Sequence, residues 1–173
     1  IMANKGKYYE SQFEEATIEL LREAHWQYTL GDDIHRKYTD PLIEEDLRNF
    51  LAVQYKDKNL TTSEMDGIVA NLRNTGGQND YYALRNAFLL YRDGYDFAYS
   101  DSRDNPFRME YIDFEHPDHN IFRCVNQFVM GQGRENRRPD ILLFINGIPV
   151  CIIELKNPTK QNATIRDAHT QIC

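Results

Sequence analysis

Apolar positions change their period along this chain, and each change predicts an element. Phe13, Ala16, Leu20, Leu21, Ala24 and Tyr28 recur at three- and four-residue spacing. That spacing predicts a helix from about Gln12 to Tyr28. Ser11 and Glu14 in front of it have the spacing of a capping box. Asp40-Pro41 predicts a second helix start, with Leu42, Ile43, Leu47, Phe50 and Leu51 turned inward. Thr61 and Glu64 open a third helix, which carries Ile68, Val69 and Leu72 and stops at Gly76-Gly77. A fourth runs over 80–92 and is stopped by Gly94.

Beyond Gly94 the text becomes extended. Residues 95–114 carry six aromatic side chains, Tyr95, Phe97, Tyr99, Phe107, Tyr111 and Phe114, read as short strands that pack a core. Residues 140–156 are apolar nearly throughout and are broken by Asn146-Gly147, the strongest short hairpin signal because both residues tolerate positive φ. Two adjacent strands are predicted, 140–145 and 149–156. A closing helix begins at Thr164 and carries Ile165, Ala168, His169 and Ile172 to the last residue. The whole is an α/β chain: an opening helix, a mixed central sheet of about four strands flanked by helices, and a helical insert over 40–92. A single domain spans 1–173, with its core at about 11–30 and 95–173.

Composition narrows the class. The longest apolar run is broken at Asn146-Gly147, so no membrane span is expected, and no signal peptide is expected either. Three cysteines are odd in number and widely spaced. Cys124 and Cys151 lie in apolar strand-like text and are expected to be buried free thiols in a reducing, cytoplasmic setting. The net charge is −7, but it is unevenly spread. Residues 1–119 hold 13 basic and 23 acidic side chains, whereas residues 120–173 hold 7 and 4. Only the second part would tolerate a phosphate backbone, which suggests a domain that receives nucleic acid from partners.

The candidate chemistry lies in the hairpin. Strand alternation puts Glu154 and Lys156 on one face, and the fold-back brings Asp140 to the same end. Two carboxylates about 4 Å apart repel by roughly 4 kcal/mol at a protein-surface dielectric, and a divalent cation reverses the sign. Asp140, Glu154 and Lys156 are therefore a compact set for phosphodiester hydrolysis with Mg²⁺. The plainer reading is a half-buried hairpin whose end charges reach solvent. Register separates the two. A bare two-residue turn would pair Asp140 with Ile153, on the face away from Glu154, so the metal reading requires a three-residue loop or a bulge. Glu14 lies on the flank of the first helix and either caps it or reaches the site. Glu10 and Glu15 are the alternatives. Arg134, Arg137 and Arg138 make the loop before Asp140 basic and suited to phosphate contact.

The run Arg137-Arg138-Pro139-Asp140 to Pro149, followed by Ile152-Ile153-Glu154-Leu155-Lys156-Asn157-Pro158, resembles the N-terminal nuclease domain of the R subunit of type I restriction enzymes. The resemblance is close over 110–173 and weaker before. It implies a restriction-endonuclease-like, PD-(D/E)xK fold and a Mg²⁺-dependent endonuclease acting on duplex DNA. It implies Asp140 and Glu154 as catalytic metal ligands, Glu14 as a further ligand or outer contact, and Lys156 as the catalytic residue that assists the water or the transition state. The family's Gln-x-x-x-Tyr element would begin at Gln171, so the chain is expected to stop within its closing helix. Methyltransferase and specificity subunits are the implied partners, and ATP would serve only motor domains downstream. Two other readings remain: a solitary repair or junction nuclease of the same superfamily, and a nuclease-like assembly or DNA-binding module without activity.

Overall fold

The computed structural model describes residues 10–75, 79–131 and 136–156. By contacts the chain divides into two compact units, one built from residues up to Leu42 and from Phe122 onward, the other from Ile43–Ile121. The expected insert over 40–92 falls almost wholly in the second unit, where residues 93–121 join it.

The first unit is α/β. It holds α1 (Glu10–Glu23), β1 (Gln27–Leu30), β4 (Phe122–Asn126), β5 (Ile141–Ile145) and β6 (Ile148–Ile153). The strands form one mixed sheet in the order β1-β4-β5-β6. β1 runs parallel to β4, and the other two pairings are antiparallel. Cys124, Val125, Phe128, Ile141, Leu142, Phe144 and Ile148 are buried. The Phe128 and Phe144 rings meet at 5.0 Å between centroids, a tilted aromatic pair.

The opening helix is shorter than its apolar spacing predicts. Its last turn closes with Trp26 N–H on the Leu21 carbonyl and His25 N–H on that of Arg22, with His25 at φ 67°. This is a Schellman closure. The positions expected to continue the helix, Trp26 and Tyr28, instead lead into β1, because alternate aromatic positions suit a strand as well as a helix flank. Ser11 and Glu14 both lie inside α1, so they do not form the expected cap.

The hairpin β5–β6 turns at Asn146 (φ 50°) and Gly147 (φ 74°), the two positive values that a two-residue primed turn needs. Near the turn, Ile145 faces Ile148 and Phe144 faces Pro149. Beyond a bulge between Leu143 and Phe144 the register shifts by one, so that Leu143 faces Cys151 and Ile141 faces Ile153. Val150 is the extra residue. Pro149, which has no N–H to donate, sits beside this irregularity on the last strand of the sheet, where proline is tolerated. β6 is also more exposed than expected. Cys124 is a buried free thiol, but Cys151 is an exposed one, because the last strand leaves it uncovered.

The second unit contains α2 (Glu44–Gln54), α3 (Thr62–Arg73), α4 (Asp80–Asp93) and a small antiparallel pair, β2 (Tyr95–Phe97) with β3 (Phe107–Met109). α2 starts three residues later than Asp40-Pro41 predicts. Asp40 closes a local turn by accepting from Leu42 N–H at 3.1 Å instead of capping a helix. Thr61 caps α3 in a reciprocal box with Glu64. Glu64 is buried and also takes Arg103 at 2.6 Å, and these donors hold its carboxyl well below the usual range. Tyr95, Phe97, Tyr99, Phe107 and Tyr111 pack against one another, which is the core role expected of them. Phe114 is exposed. No helix among the described residues is long and apolar enough to cross a membrane.

Phe144 is fully buried and paired, so Phe144→Ala should lower the unfolding free energy by about 3–5 kcal/mol, read from urea denaturation. A loss under about 1 kcal/mol would show that this contact is not central to the sheet.

Candidate active site

Three strand ends converge at one edge of the sheet: the C-terminus of β4, the N-terminus of β5 and the C-terminus of β6. The pairing beyond the bulge carries Asp140 level with Glu154, one step past Ile141 and Ile153. Directly opposed residues of an antiparallel pair share a face. The bulge required by the sequence is therefore present, and the two carboxyls stand on one side.

Asp140 does more than supply charge. Its Oδ2 accepts the backbone N–H of Leu155 at 2.7 Å. A side chain thus takes the place of the next ladder carbonyl, and β6 ends at Ile153 rather than continuing to Lys156 as expected. Glu154, Leu155 and Lys156 leave the strand half-buried. The Glu154 carboxyl is pushed above its ordinary value, first by burial and then by the negative charge of Asp140, while Lys156 pulls it down. Asp140 also hydrogen-bonds with Glu154, which further favours the protonated acid. Glu154, beside a second acid and with one lysine offsetting part of the cost, sits in a site short of positive charge.

Glu14 reaches the same edge from α1. Its Oε1 accepts Asn126 Nδ2 at 3.0 Å and Gln127 Nε2 at 3.3 Å. Asn126 pairs with Ile141, and Gln127 N–H points to the Asp140 carbonyl at 3.4 Å. Glu14 is therefore fixed to the end of the strand that neighbours Asp140. Glu15 is exposed. The side chain of Glu10 is outside the described residues. Arg137 pairs through its backbone with Met130, at 2.7 and 2.6 Å, and its side chain and that of Arg138 are exposed. Gln171, Arg134 and the closing helix lie outside the described residues.

Apolar periodicity carries no sign of the amides that hold Glu14. Asn126 also accepts Tyr28 Oη at 3.0 Å, tying β1 to β4 at this edge. Gln127 has φ 58°, a conformation that ends the strand. Gly31 permits that ending, since a Cβ there would stand 2.5 Å from the Gln127 carbonyl oxygen. The available signal was Asn-Gln directly after a buried apolar pair.

Comparison with known proteins places these residues in context. The family model for the type I restriction enzyme R protein N terminus matches residues 7–173. The chain is 28% identical over 172 residues to the type I restriction enzyme HindI endonuclease subunit of Haemophilus influenzae, covering 94% of this chain and 16% of that protein. It is 29% identical over 163 residues to the putative type I restriction enzyme MjaIXP endonuclease subunit of Methanocaldococcus jannaschii, covering 90% and 16%. A second subunit of that organism, MjaVIIIP, is 38% identical over 65 residues, 38% of this chain and 6% of its own length. The chain thus spans a small fraction of the relatives it matches.

The raised Glu154 has a thermodynamic sign. A carboxyl that binds its proton more tightly folded than unfolded loses stability as pH rises from its ordinary value of 4.5 through the raised one. The loss persists above that window. Glu154→Gln should therefore melt at a higher temperature than wild type near neutral pH, with the difference closing below about pH 4. Calorimetry at both pH values checks it, and a less stable variant at neutral pH would contradict the assignment.

Proposed function

The chain belongs to the family of type I restriction enzyme R protein N termini, and from that premise we propose that it is the Mg²⁺-dependent, DNA-cleaving domain of such a subunit. The observation that carries the reading is the pairing of Asp140 with Glu154 on one face, with the Glu154 carboxyl pushed above its ordinary value by burial and by Asp140. In this reading the first unit is a restriction-endonuclease-like core of the PD-(D/E)xK kind, and its mixed sheet and the strand ends described above support it.

Asp140 and Glu154 are the residues that would hold Mg²⁺. The donor set fits, because both are carboxylates, and Mg²⁺ takes oxygen ligands and relies on substrate phosphate and water for the remainder. When bound, the ion supplies a polarised phosphoryl group and a more acidic water. Asp140 holds Leu155 by its N–H and so fixes the start of the Glu154–Lys156 segment. Lys156 acts on Glu154 through its charge, favouring the carboxylate, and in this reading orients a water or offsets charge at the phosphate. Glu14, held by two amides, contributes a further carboxylate as a ligand or an outer contact. Arg137 and Arg138 would contact the DNA backbone, and Gln171, outside the described residues, is given a supporting role by the family resemblance alone.

The full assembly is part of the proposal. Methyltransferase and specificity subunits would deliver DNA, ATP would drive a motor elsewhere in the subunit, and the setting would be cytoplasmic. Of the cysteines, Cys124 and Cys151 are free, consistent with a reducing compartment.

In the assembled enzyme, Asp140→Ala, Glu154→Ala and Lys156→Ala should each lower DNA cleavage by at least about 100-fold, the scale of a lost transition-state contact. ATP hydrolysis should stay at the wild-type rate. A variant that cuts normally would remove that residue from the site, and combined loss of cleavage and ATPase would point to misassembly.

The chain by itself should be a weak nuclease. Residues 1–119 carry 13 basic and 23 acidic groups, so unaided DNA binding should fall near the weak end, about 10⁻⁴ M at physiological salt. A plasmid-nicking assay with Mg²⁺ or Mn²⁺ tests this against Lys156→Ala. Efficient, Lys156-dependent cutting at low protein concentration would favour the solitary nuclease instead.

A further inference from the structure

We propose that Asp113, His116 and His119, in the second unit, form a binding site for a divalent transition metal of the zinc class. The site is separate from the nuclease reading and does not depend on it. The three residues lie three apart in sequence, and a short 3₁₀ turn, Pro117–His119, returns the chain so that their side chains converge. One ligand atom from each falls within 4.8 Å of the other two.

Asp113 is buried and its carboxylate is already oriented. One oxygen, Oδ1, accepts the backbone N–H of Glu115 at 3.0 Å and of His116 at 2.8 Å. The other, Oδ2, accepts Gln54 Nε2 at 3.1 Å. The same Oδ2 faces both imidazoles, with His119 Nδ1 at 3.0 Å and His116 Nδ1 at 3.7 Å. The two rings stack at 4.9 Å between centroids and 18° between planes. In a tetrahedral site with bonds of about 2.0–2.1 Å, neighbouring ligand atoms stand about 3.3 Å apart. The observed 3.0 and 3.7 Å straddle that edge, so small side-chain adjustments would admit the ion.

Chemistry selects the metal. Two imidazoles and one carboxylate suit Zn²⁺, Co²⁺ or Ni²⁺, whereas Mg²⁺ prefers oxygen ligands. A carboxylate oxygen has two lone pairs, so the ion can take the direction now facing His119 while Gln54 keeps the other. Gln54 then orients the ligating carboxylate as an outer partner. Both histidines are more than half exposed at the side chain, 61% and 52%, which gives the ion an entry path and leaves room for a water as fourth ligand. Each imidazole must bind in its neutral form, so occupancy falls with acidification.

The test is a Co²⁺ titration of the purified chain followed by visible absorption, with Zn²⁺ as competitor. The expected result is one equivalent of four-coordinate Co²⁺ that Zn²⁺ displaces. His116→Asn and His119→Asn should each weaken binding by more than about tenfold, and Gln54→Ala by about 10- to 100-fold. Asn can keep a hydrogen bond to Asp113, so the turn is expected to survive, and circular dichroism in chelator checks it. The double variant Asp140→Ala/Glu154→Ala should bind Co²⁺ as wild type does. On the unaltered chain, Zn²⁺ should shift the imidazole ¹⁵N resonances of His116 and His119 and leave those of His25 and His35 in place. No four-coordinate spectrum, a spectrum that survives both His variants, or ¹⁵N shifts confined to other histidines would each overturn the site and leave Asp113 as a hydrogen-bonded staple of its turn.

Discussion

A hairpin closed by two residues fixes which positions face each other all the way to its open end. Because side chains alternate, a slip of one residue moves every later position to the other face of the sheet. In this chain the turn at Asn146-Gly147 alone would put Asp140 and Glu154 on opposite faces. Val150, bulged out of β6 between the positions paired with Leu143 and Phe144, supplies the missing residue. Everything at the sheet edge follows from that shift. It brings the two carboxyls level, lets Asp140 take the Leu155 N–H, and so ends β6 where the charged residues begin.

The arrangement carries an internal cost. Glu154 is partly withdrawn from water beside another acid, and Lys156 offsets only some of the repulsion, so the Glu154 carboxyl stays above its ordinary value. Nearby, Glu14 is not left to repel them freely, since Asn126 and Gln127 donate to it. Such a pair stabilises the fold poorly. In a family of restriction endonuclease subunit N termini, a cost at this position is consistent with service to a site rather than to packing.

Legibility in the sequence followed the strength of local chemistry. α3 and α4 were readable because Thr61 with Glu64, and Gly94, are strong end signals. α1 ends earlier than its spacing predicts because its end depends on His25 in a left-handed conformation, which periodicity does not encode, and because Tyr28 continues the apolar spacing. β1 leaves no signal for the same reason, having no clear alternation in four mostly exposed residues. The hairpin and its charged ends were plain, and the need for a shifted register followed from counting. Its location was open, although Pro149 marked the place where a ladder donor is lacking. The amides around Glu14 and the His116–Asp113–His119 cluster arise from turns, whose geometry is not carried by periodicity.

The central claim, that the register makes Asp140 and Glu154 one electrostatic unit, is tested most directly by a carboxyl ¹³C NMR titration of Glu154 in wild type and in Asp140→Asn. The account predicts a midpoint above 4.5 in wild type that falls in Asp140→Asn but stays somewhat raised, because burial contributes more than the Asp140 charge. A Glu154 midpoint at its ordinary value, or one unmoved by Asp140→Asn, would contradict the pairing on which the proposed site rests.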